Sequence, residues 1–421
     1  MSSRRDRPVY RKGDGLASEQ PLLLGDPLEE RLKGEPLVLG LRELVESVLG
    51  EELRKGFSRS GGYSYDPAGL LCVWMYGLMK GVTSSRKLEE ACRYDVRYEY
   101  LCRSCRPDHT TLSRFRHSLG DTLDALFVRI ALAAREENLI TGRVAMVDGT
   151  KIPAARSQWK KLLGQADIDD PPDGETMKSY GRYFYGYNVQ MAVDMDSGMV
   201  LGHAATTSSN DLASMEELLC KVESQSGVVP EKVVADKGYS SHPNAHALDS
   251  RGIDGFLPPM RGPAPFSPGE DGSFQCAAGH RPSEGKVYDR AYDTHYRELR
   301  VSKCSNCQIS ATCGSGSGAQ RRQKLPTHLP FGDLRRANLN ALDPTNQPLM
   351  RSRAPTIERI FGILKWCMGL SRFKLKTTAG AHLEFGLTAL AYNLRRLIRA
   401  LWKLFCLSLT ESRPHFDLQK A

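Results

Sequence analysis

The stretch Val144-Ala145-Met146-Val147-Asp148 is an apolar run that ends in a carboxylate, and Val233-Val234-Ala235-Asp236 repeats the same arrangement. Short runs of β-branched and apolar residues are typical of buried strands. A side chain at the end of such a strand lies at an edge of the sheet, where α/β proteins bind ligands. The two runs therefore predict an α/β core with Asp148 and Asp236 at one sheet edge.

A third acidic residue, Glu358, stands at the start of a basic helical segment that runs from Ile357 to Lys365. Two strand-end carboxylates and one helix carboxylate supply the oxygen ligands that Mg²⁺ requires. Two divalent ions about 3.5–4 Å apart stabilise the attacking and leaving oxygens of a phosphodiester. We interpret Asp148, Asp236 and Glu358 as one catalytic site for two Mg²⁺ or Mn²⁺ ions, although each acid alone is more simply a surface carboxylate.

The charge of the chain is concentrated near its carboxyl end. The formal net charge is +9, and Arg351 to Lys403 contains 11 Lys and Arg residues against 2 acidic ones. A basic face of that size suits a polyanion and indicates DNA as the partner. The simpler alternative is a solvated helical face.

Composition also bears on location and redox state. Met1–Lys12 is basic but lacks the apolar segment of a signal peptide. The most apolar windows, Leu70–Met79 and Leu397–Leu407, are shorter than the ~20 residues that span a bilayer. We therefore expect a cytoplasmic, DNA-associated protein without a membrane segment. Its 11 cysteines are expected to be thiols or metal ligands and not disulfides.

The order of predicted elements, three strands followed by alternating helices and strands and a late acidic helix, is that of an RNase H-like mixed sheet flanked by helices. The 421 residues are too many for one simple core, so several domains are expected. The segments are a loose basic arm (1–36), a helical region (37–138), the first part of the catalytic domain (139–257), an irregular Cys-rich insertion (258–349), the second part of the catalytic domain with the Glu358 helix (350–407) and a tail (408–421).

The helical region has clear start signals. Asp66-Pro67 predicts a capped helix that is apolar almost all round, and Pro107-Asp108 precedes a basic helix that carries Arg114 and Arg116. Such a set of short helices fits a DNA-binding domain. A plain helical bundle fits it equally well.

The insertion contains four cysteines, which are enough for a closed tetrahedral zinc site. They are Cys276, Cys304, Cys307 and Cys313, and His280 can replace one of them. A zinc ion would stabilise an insert whose own core is small. Free thiols in a loose insert are the alternative.

Four segments resemble those of bacterial insertion-sequence DDE transposases of the IS-four-like group, in the branch with an N-terminal helical domain and a cysteine-bearing insertion. They are 147–151 (VDGTK), 186–194 (GYNVQMAVD), 235–239 (ADKGY) and 358–365 (ERIFGILK). The resemblance implies an RNase H-like core that uses Mg²⁺ to excise a DNA element and integrate it into target DNA. It also implies that Asp148, Asp236 and Glu358 form the catalytic triad, and that Lys365 is the basic residue that follows the Glu.

The chain departs from that family's signature before Glu358. Arg351 and Ala354 occupy the places where the family usually has Tyr and Arg. The family's Arg is expected to contact DNA, so either Arg353 replaces it or this copy is weakened. Arg359, Arg395 and Arg396 are further candidates for phosphate contacts. Pairing two DNA ends requires two active sites, so we expect a dimer on the DNA.

Three other functions fit the same sequence. A transposase-derived repressor would bind DNA through the helical region without cutting it. A metal-dependent nuclease would cut DNA without joining it to a target. A zinc-binding interaction protein would unfold on chelation and cut nothing.

Overall fold

The computed structural model describes residues 28–55, 65–155, 174–179, 181–260, 266–268, 273–289, 294–302, 304, 307–309, 320–327 and 331–411, with side chains described up to 403. The strands are β1 (Val144–Pro153), β2 (Glu175–Ser179), β3 (Arg182–Asp194), β4 (Val200–Thr206), β5 (Lys232–Val234), β6 (Asp254–Phe256), β7 (Phe266–Pro268), β8 (Phe274–Cys276), β9 (Ser283–Asp289), β10 (Thr294–Val301) and β11 (Arg321–Pro326).

Helices precede, separate and follow these strands, and short 3₁₀ and π turns extend several of them. The α-helices are α1 (Leu28–Arg31), α2 (Pro36–Leu44), α3 (Gly50–Lys55), α4 (Pro67–Met79), α5 (Ser85–Tyr94), α6 (Val96–Leu101), α7 (His109–Ser118), α8 (Leu123–Glu136), α9 (Met215–Ser226), α10 (His242–Asp249), α11 (Phe331–Leu342), α12 (Gln347–Gly362) and α13 (Thr377–Glu411). A π-helical turn, Ile363–Cys367, continues α12.

The central sheet has the order β2-β3-β1-β5-β6, with β4 paired to β3. Strand β3 pairs in antiparallel fashion with both β1 and β4, whereas β5 runs parallel to β1 and β6 runs parallel to β5. This mixed sheet with helices around it fits the predicted RNase H-like core. Strand β2, which pairs with the first part of β3, was not predicted.

The register of β1 with β5 positions the two acidic residues. Val144, Ala145 and Met146 lie opposite Lys232, Val233 and Val234. Asp148 and Asp236 each lie two residues beyond the last paired residues of β1 and β5, so the two acids lie side by side. Asp148 lies within β1, which continues to Pro153 against β3, at the point where the shorter neighbour β5 ends.

One hydrophobic core joins the amino-terminal helices to the sheet. Its buried residues form one contiguous cluster, with members from Leu28 in α1 to Ile398 in α13. Trp74, Leu126, Val193 and Leu390 are among them. Helix α13 packs against α2, α4, α8 and β4. The helical region thus shares this core with the sheet, and helix α1, which contributes buried Leu28, falls within the segment 1–36.

Local start signals were predicted well, and helix ends less well. Asp66 caps α4 and all 13 of that helix's residues are buried, while Asp108 caps α7 through the Thr111 N–H at 2.7 Å. Glu358 does not open its helix, since α12 begins at Gln347. Helix α13 runs through Gly380, and the last two helical segments are separated between Cys367 and Thr377.

The predicted irregular insertion contains regular structure. Strands β11, β10 and β9 form an antiparallel sheet, and β7 pairs with β8. Their small core consists of Phe266, Phe274, Leu299, Val301 and Leu325. Helix α11 lies within the predicted insertion but packs on β6 and α10, so it belongs to the main body.

Among the described residues, no helix has both the length and the apolar character needed to cross a membrane.

Asn393 lies in the apolar middle of α13 and is 3% exposed. Its side chain accepts from the Val200 N–H at 2.9 Å and donates to the Val200 carbonyl at 2.8 Å. Asn393 therefore makes two buried hydrogen bonds to the backbone of β4. The amide satisfies backbone groups on β4, which pairs only with β3 among the described strands.

We expect Asn393→Ala to lower the free energy of unfolding by about 2–4 kcal/mol, because both Val200 groups lose their partner in a dry site. Urea denaturation of the full chain measures this. Arg399→Ala, at an exposed position of the same helix, is the control and should change stability by less than about 0.5 kcal/mol. Equal stability of the two variants would contradict the prediction.

A second prediction concerns pH. Burial lowers the pKa of His242 to about 4, with Asp333 opposing the shift, whereas an unfolded histidine titrates near 6.5. Between these values the unfolded chain binds a proton that the folded chain does not, so stability falls as the pH falls. The loss approaches about 3 kcal/mol near pH 4.

Denaturation midpoints at about pH 7.5 and pH 4.5 measure this dependence, which should be shallower in His242→Gln. The residual dependence in that variant is expected to come partly from His203, whose pKa burial also lowers. An unchanged slope in His242→Gln would show that His242 is not the source.

Candidate active site

Asp148 and Asp236 come together at the point where β5 ends. The Asp148 side chain is 19% exposed, and its Oδ1 accepts from the Gly149 N–H at 2.8 Å. Asp236 caps the 3₁₀ turn Lys237–Tyr239 and accepts from the Gly238 N–H at 2.8 Å. Both carboxylates are thus oriented by the backbone that follows them.

The charge at this edge is unbalanced. Burial is the main cause that raises the pKa of Asp148, the negative charge of Asp236 adds to it, and Arg353 opposes both. Arg353 Nη1 donates to Asp148 Oδ2 at 2.8 Å, and its side chain is only 14% exposed. One arginine therefore does not neutralise the acidic pair, which leaves the site attractive to a cation.

The structure brings Arg353, and not position 354, to the acidic pair. Arg353 and Lys365 both extend from the α12 segment to β1, where Lys365 Nζ donates to the Thr150 hydroxyl. Burial lowers the pKa of Lys365 and the charge of Asp148 opposes that shift. Two cationic side chains therefore flank the acids.

At two positions a neighbouring side chain approaches the backbone so closely that only glycine leaves enough room. A Cβ on Gly238 would lie 2.9 Å from Asp236 Oδ1, and a Cβ on Gly149 would lie 2.7 Å from Gln190 Nε2. Neither glycine is among the positive-φ residues. Gly238 lies in the 3₁₀ turn that follows β5, and a side chain there would crowd the Asp236 carboxylate.

Asp211 is a residue beside the acidic pair that the sequence analysis did not identify as part of the site. Helix α9 begins later, at Met215. Asp211 Oδ1 accepts from Asn188 Nδ2 at 2.8 Å and from Gln190 Nε2 at 2.7 Å. Its Oδ2 would lie 3.5 Å from a Cβ on Gly238. The alternating polar residues of the GYNVQ stretch were the available signal, because a core strand rarely buries amides without a partner.

Tyr239 belongs to the same network. It is fully buried, and its hydroxyl donates to Gln190 Oε1. Burial raises the pKa of Tyr239 well above its usual value, and Asp211 is the first of the neighbouring charges that add to the shift. Tyr239 therefore packs in the core, and a buried, bonded hydroxyl does not fit a DNA contact or a nucleophilic role.

Glu358 lies on the exposed side of α12. In the sequence it stands between Arg353 and Lys365, whose side chains reach β1. Lys365 follows it by seven residues, which is about two helical turns, so both lie on nearly the same strip of the helix. Glu358 forms no ion pair with any described residue.

The donor set fits divalent metal ions at the acidic pair. Asp148 and Asp236 are carboxylates on neighbouring strands whose negative charge is not fully neutralised, and Asp211 lies beside them. Hard cations prefer such oxygen ligands. Within the described ranges, however, no three His, Cys, Asp or Glu side chains are close enough together to hold a metal ion. The structure thus brings together two of the three predicted acids.

The other predicted DNA contacts lie away from the acidic pair or at the surface. Arg359 and Arg114 are exposed. Arg396 lies over Tyr392 and beside Gly198, at the opposite end of β1. The Arg116 guanidinium lies 5.0 Å from the Trp74 ring centre, and burial lowers the pKa of Arg395.

The predicted zinc ligands do not assemble in the described part of the chain. Cys276 and Cys304 pack against the small core of the insertion, and the thiols of Cys276, Cys304 and Cys307 are free. They form no metal-binding group with any described residue. Cys313 lies outside the described residues.

Comparison with protein families gives two matches. The model of the family described as Transposase DDE domain matches residues 141–394, which is more than half of the chain. The model described as Transposase domain (DUF772) matches residues 26–118. No curated protein is similar enough to count as a match. The first match covers β1 to α13 with Asp148, Asp236 and Glu358, and the second covers helices α1 to α7.

Proposed function

The chain belongs to the transposase DDE domain family, and on that premise we propose that it binds the ends of a mobile DNA element, cleaves the strands there and transfers them to target DNA. The observation that carries the proposal is the β1–β5 register, which puts Asp148 beside Asp236. Within the family, the IS-four-like group is the branch whose motifs the chain resembles.

We assign Asp148, Asp236 and Glu358 as the residues that would hold two Mg²⁺ or Mn²⁺ ions. When bound, such ions lower the pKa of a water molecule and stabilise the leaving oxygen of a phosphodiester. The protein contributes the rest of the site. Gly149 and Gly238 keep the carboxylates uncrowded. Hydrogen bonds from Asn188 and Gln190 hold the neighbouring Asp211 side chain in place.

Arg353 and Lys365 are proposed to hold the phosphate that reacts. Before DNA binds, Arg353 is paired with Asp148. A phosphate would offer the Arg353 guanidinium a second anionic partner. Metal binding at Asp148 would release Arg353 from its ion pair with that residue. Lys365 is half-buried beside Thr150, where its charge faces the same edge of the sheet. Arg353 would replace the arginine that the family has at position 354, and Lys365 would be the family's basic residue after the Glu.

The amino-terminal helices are proposed to recognise the DNA ends, with exposed Arg114 as one phosphate contact. The match over residues 26–118 to a transposase domain supports this. Because they share a core with the sheet, DNA bound there would be held in a fixed relation to the acidic pair. Joining two ends would require two such chains on the DNA.

The test uses the purified full chain with labelled duplexes from the two flanks of its coding sequence and a supercoiled target plasmid. We expect Mg²⁺- or Mn²⁺-dependent cleavage at a defined boundary, followed by joined products in the plasmid. Binding without cleavage would overturn the enzymatic proposal in favour of a repressor. Cleavage without joined products would leave a nuclease.

A further inference from the structure

Gln190 is a buried amide that lies between the two acid-bearing segments of the candidate active site. Only 1% of it is exposed, and in the β1–β3 register it lies opposite the residue that follows Asp148. Its Oε1 accepts from the Tyr239 hydroxyl, and its Nε2 donates to Asp211 Oδ1 at 2.7 Å. One side chain therefore connects the strand of Asp148, the turn that follows Asp236 and the loop of Asp211.

A second buried amide, Asn244 in the first turn of α10, joins two of these segments through their backbones. Its Nδ2 donates to the Asp211 carbonyl at 2.7 Å and to the Tyr239 carbonyl at 3.0 Å, and its Oδ1 accepts from the Met215 N–H at 3.1 Å. A buried amide is costly when it lacks hydrogen-bond partners. The two residues, Gln190 and Asn244, which we call the amide clamp, therefore fix where these segments lie.

The sheet alone does not fix the position of Asp236. Strand β5 ends at Val234, two residues earlier. Asp236 caps the 3₁₀ turn Lys237–Tyr239, and the last residue of this turn carries the hydroxyl and the carbonyl that the amide clamp binds. The spacing between the carboxylates of Asp148 and Asp236 therefore depends on the clamp as well as on the strand register.

We propose that Gln190 and Asn244 are positioning residues, which hold the Asp236 carboxylate at the spacing from Asp148 that a divalent ion requires. This inference rests on the proposed function, because it concerns the same two acids. Neither amide would be a metal ligand itself, since its polar groups already bond to protein partners. Residues that orient metal-binding side chains in this way typically contribute about ten- to a hundredfold to metal affinity.

The test measures Mn²⁺ affinity, so that it does not depend on cleavage. The full chain is titrated with Mn²⁺ in the absence of DNA, and the free ion is counted by electron paramagnetic resonance. Gln190→Met keeps a side chain of similar volume and removes both hydrogen bonds of the amide. We expect its Kd for Mn²⁺ to rise by about ten- to a hundredfold, at a temperature where circular dichroism shows the variant to be folded.

Tyr239→Phe removes a single hydroxyl and leaves the ring in the core. It should raise the Kd for Mn²⁺ by about three- to tenfold, which is the effect of one hydrogen bond. It decides the question alone if Gln190→Met does not fold, and an unchanged Kd would then overturn the proposal. Adding Tyr239→Phe to Gln190→Met should change the Kd by less than about twofold, because both changes remove the same bond. Additive effects would contradict positioning through Tyr239.

Asn393→Ala is the matched control, because it also removes a buried amide with two hydrogen bonds, but one that joins α13 to β4. Its Kd for Mn²⁺ should stay within about twofold of wild type. Equal weakening in Asn393→Ala and Gln190→Met would overturn the proposal, because affinity would then follow stability alone. If wild type binds Mn²⁺ and cuts DNA, an unchanged Kd in Gln190→Met overturns this inference alone. A wild type that binds no Mn²⁺ and cuts no DNA overturns the proposed function as well.

Discussion

Asp236→Asn is expected to abolish DNA cleavage while leaving DNA binding within about twofold. The carboxylate lies beside Asp148 at the end of β5, and its charge is what would hold a divalent ion there. The asparagine oxygen can still accept the Gly238 N–H, so the fold should survive. We expect a loss of about a thousandfold or more, because metal-borne charge stabilisation supplies several kcal/mol and each 1.36 kcal/mol is a factor of ten.

Thermal melting gives a readout that does not depend on activity. Mg²⁺ or Mn²⁺ should raise the melting temperature of wild type, since a ligand that binds only the folded state stabilises it. It should not do so in Asp148→Asn or Asp236→Asn. In the absence of metal, Asp148→Asn should melt no lower than wild type, because burial and Asp236 disfavour the charge at that position.

The matched control is Glu231→Gln, which removes an exposed carboxylate just before β5, at the opposite end from Asp236. It should retain full cleavage and the metal-dependent shift. If Asp236→Asn cuts as well as this control, Asp236 is not part of the catalytic machinery.

The second large effect is expected at Glu358. Glu358→Gln should lower cleavage by about a hundredfold or more, if this acid completes the metal site with Asp148 and Asp236. The described structure does not bring the three acids into one metal-binding group, so this effect would require Glu358 to be brought to the acidic pair when metal and DNA bind. Release of the Arg353–Asp148 pair would permit that movement.

The variant Asp211→Asn tests whether Glu358 or Asp211 is the third metal-binding acid. Asp211 lies beside Gly149 and Gly238 in the structure as it stands, and an asparagine oxygen can still accept from Asn188 and Gln190. We therefore expect less than about a tenfold loss of cleavage, because only the hydrogen bonds would matter. A severe loss in Asp211→Asn together with a mild one in Glu358→Gln would make Asp211 the third metal-binding acid.

The reliable predictions from sequence were those that depend on a few neighbouring residues. Asp66 and Asp108 were identified as helix caps because a short acceptor before a helix bonds the first free N–H groups. The β1 and β5 strands followed from apolar runs that end in acids. The wrong predictions concern regions where distant contacts override weak local signals, such as the sheet in the insertion and the break after Cys367.

The sequence by itself determined that this protein has a mixed α/β core with Asp148 and Asp236 at one edge, because strand propensity and an acid after an apolar run are local properties. Only the tertiary structure decided the rest. The β1–β5 register put the two acids side by side, the approach of α12 brought Arg353 to Asp148, and buried amides on β3 drew Asp211 into the site. These contacts join residues far apart in the chain, and their geometry is set by how one shared core packs.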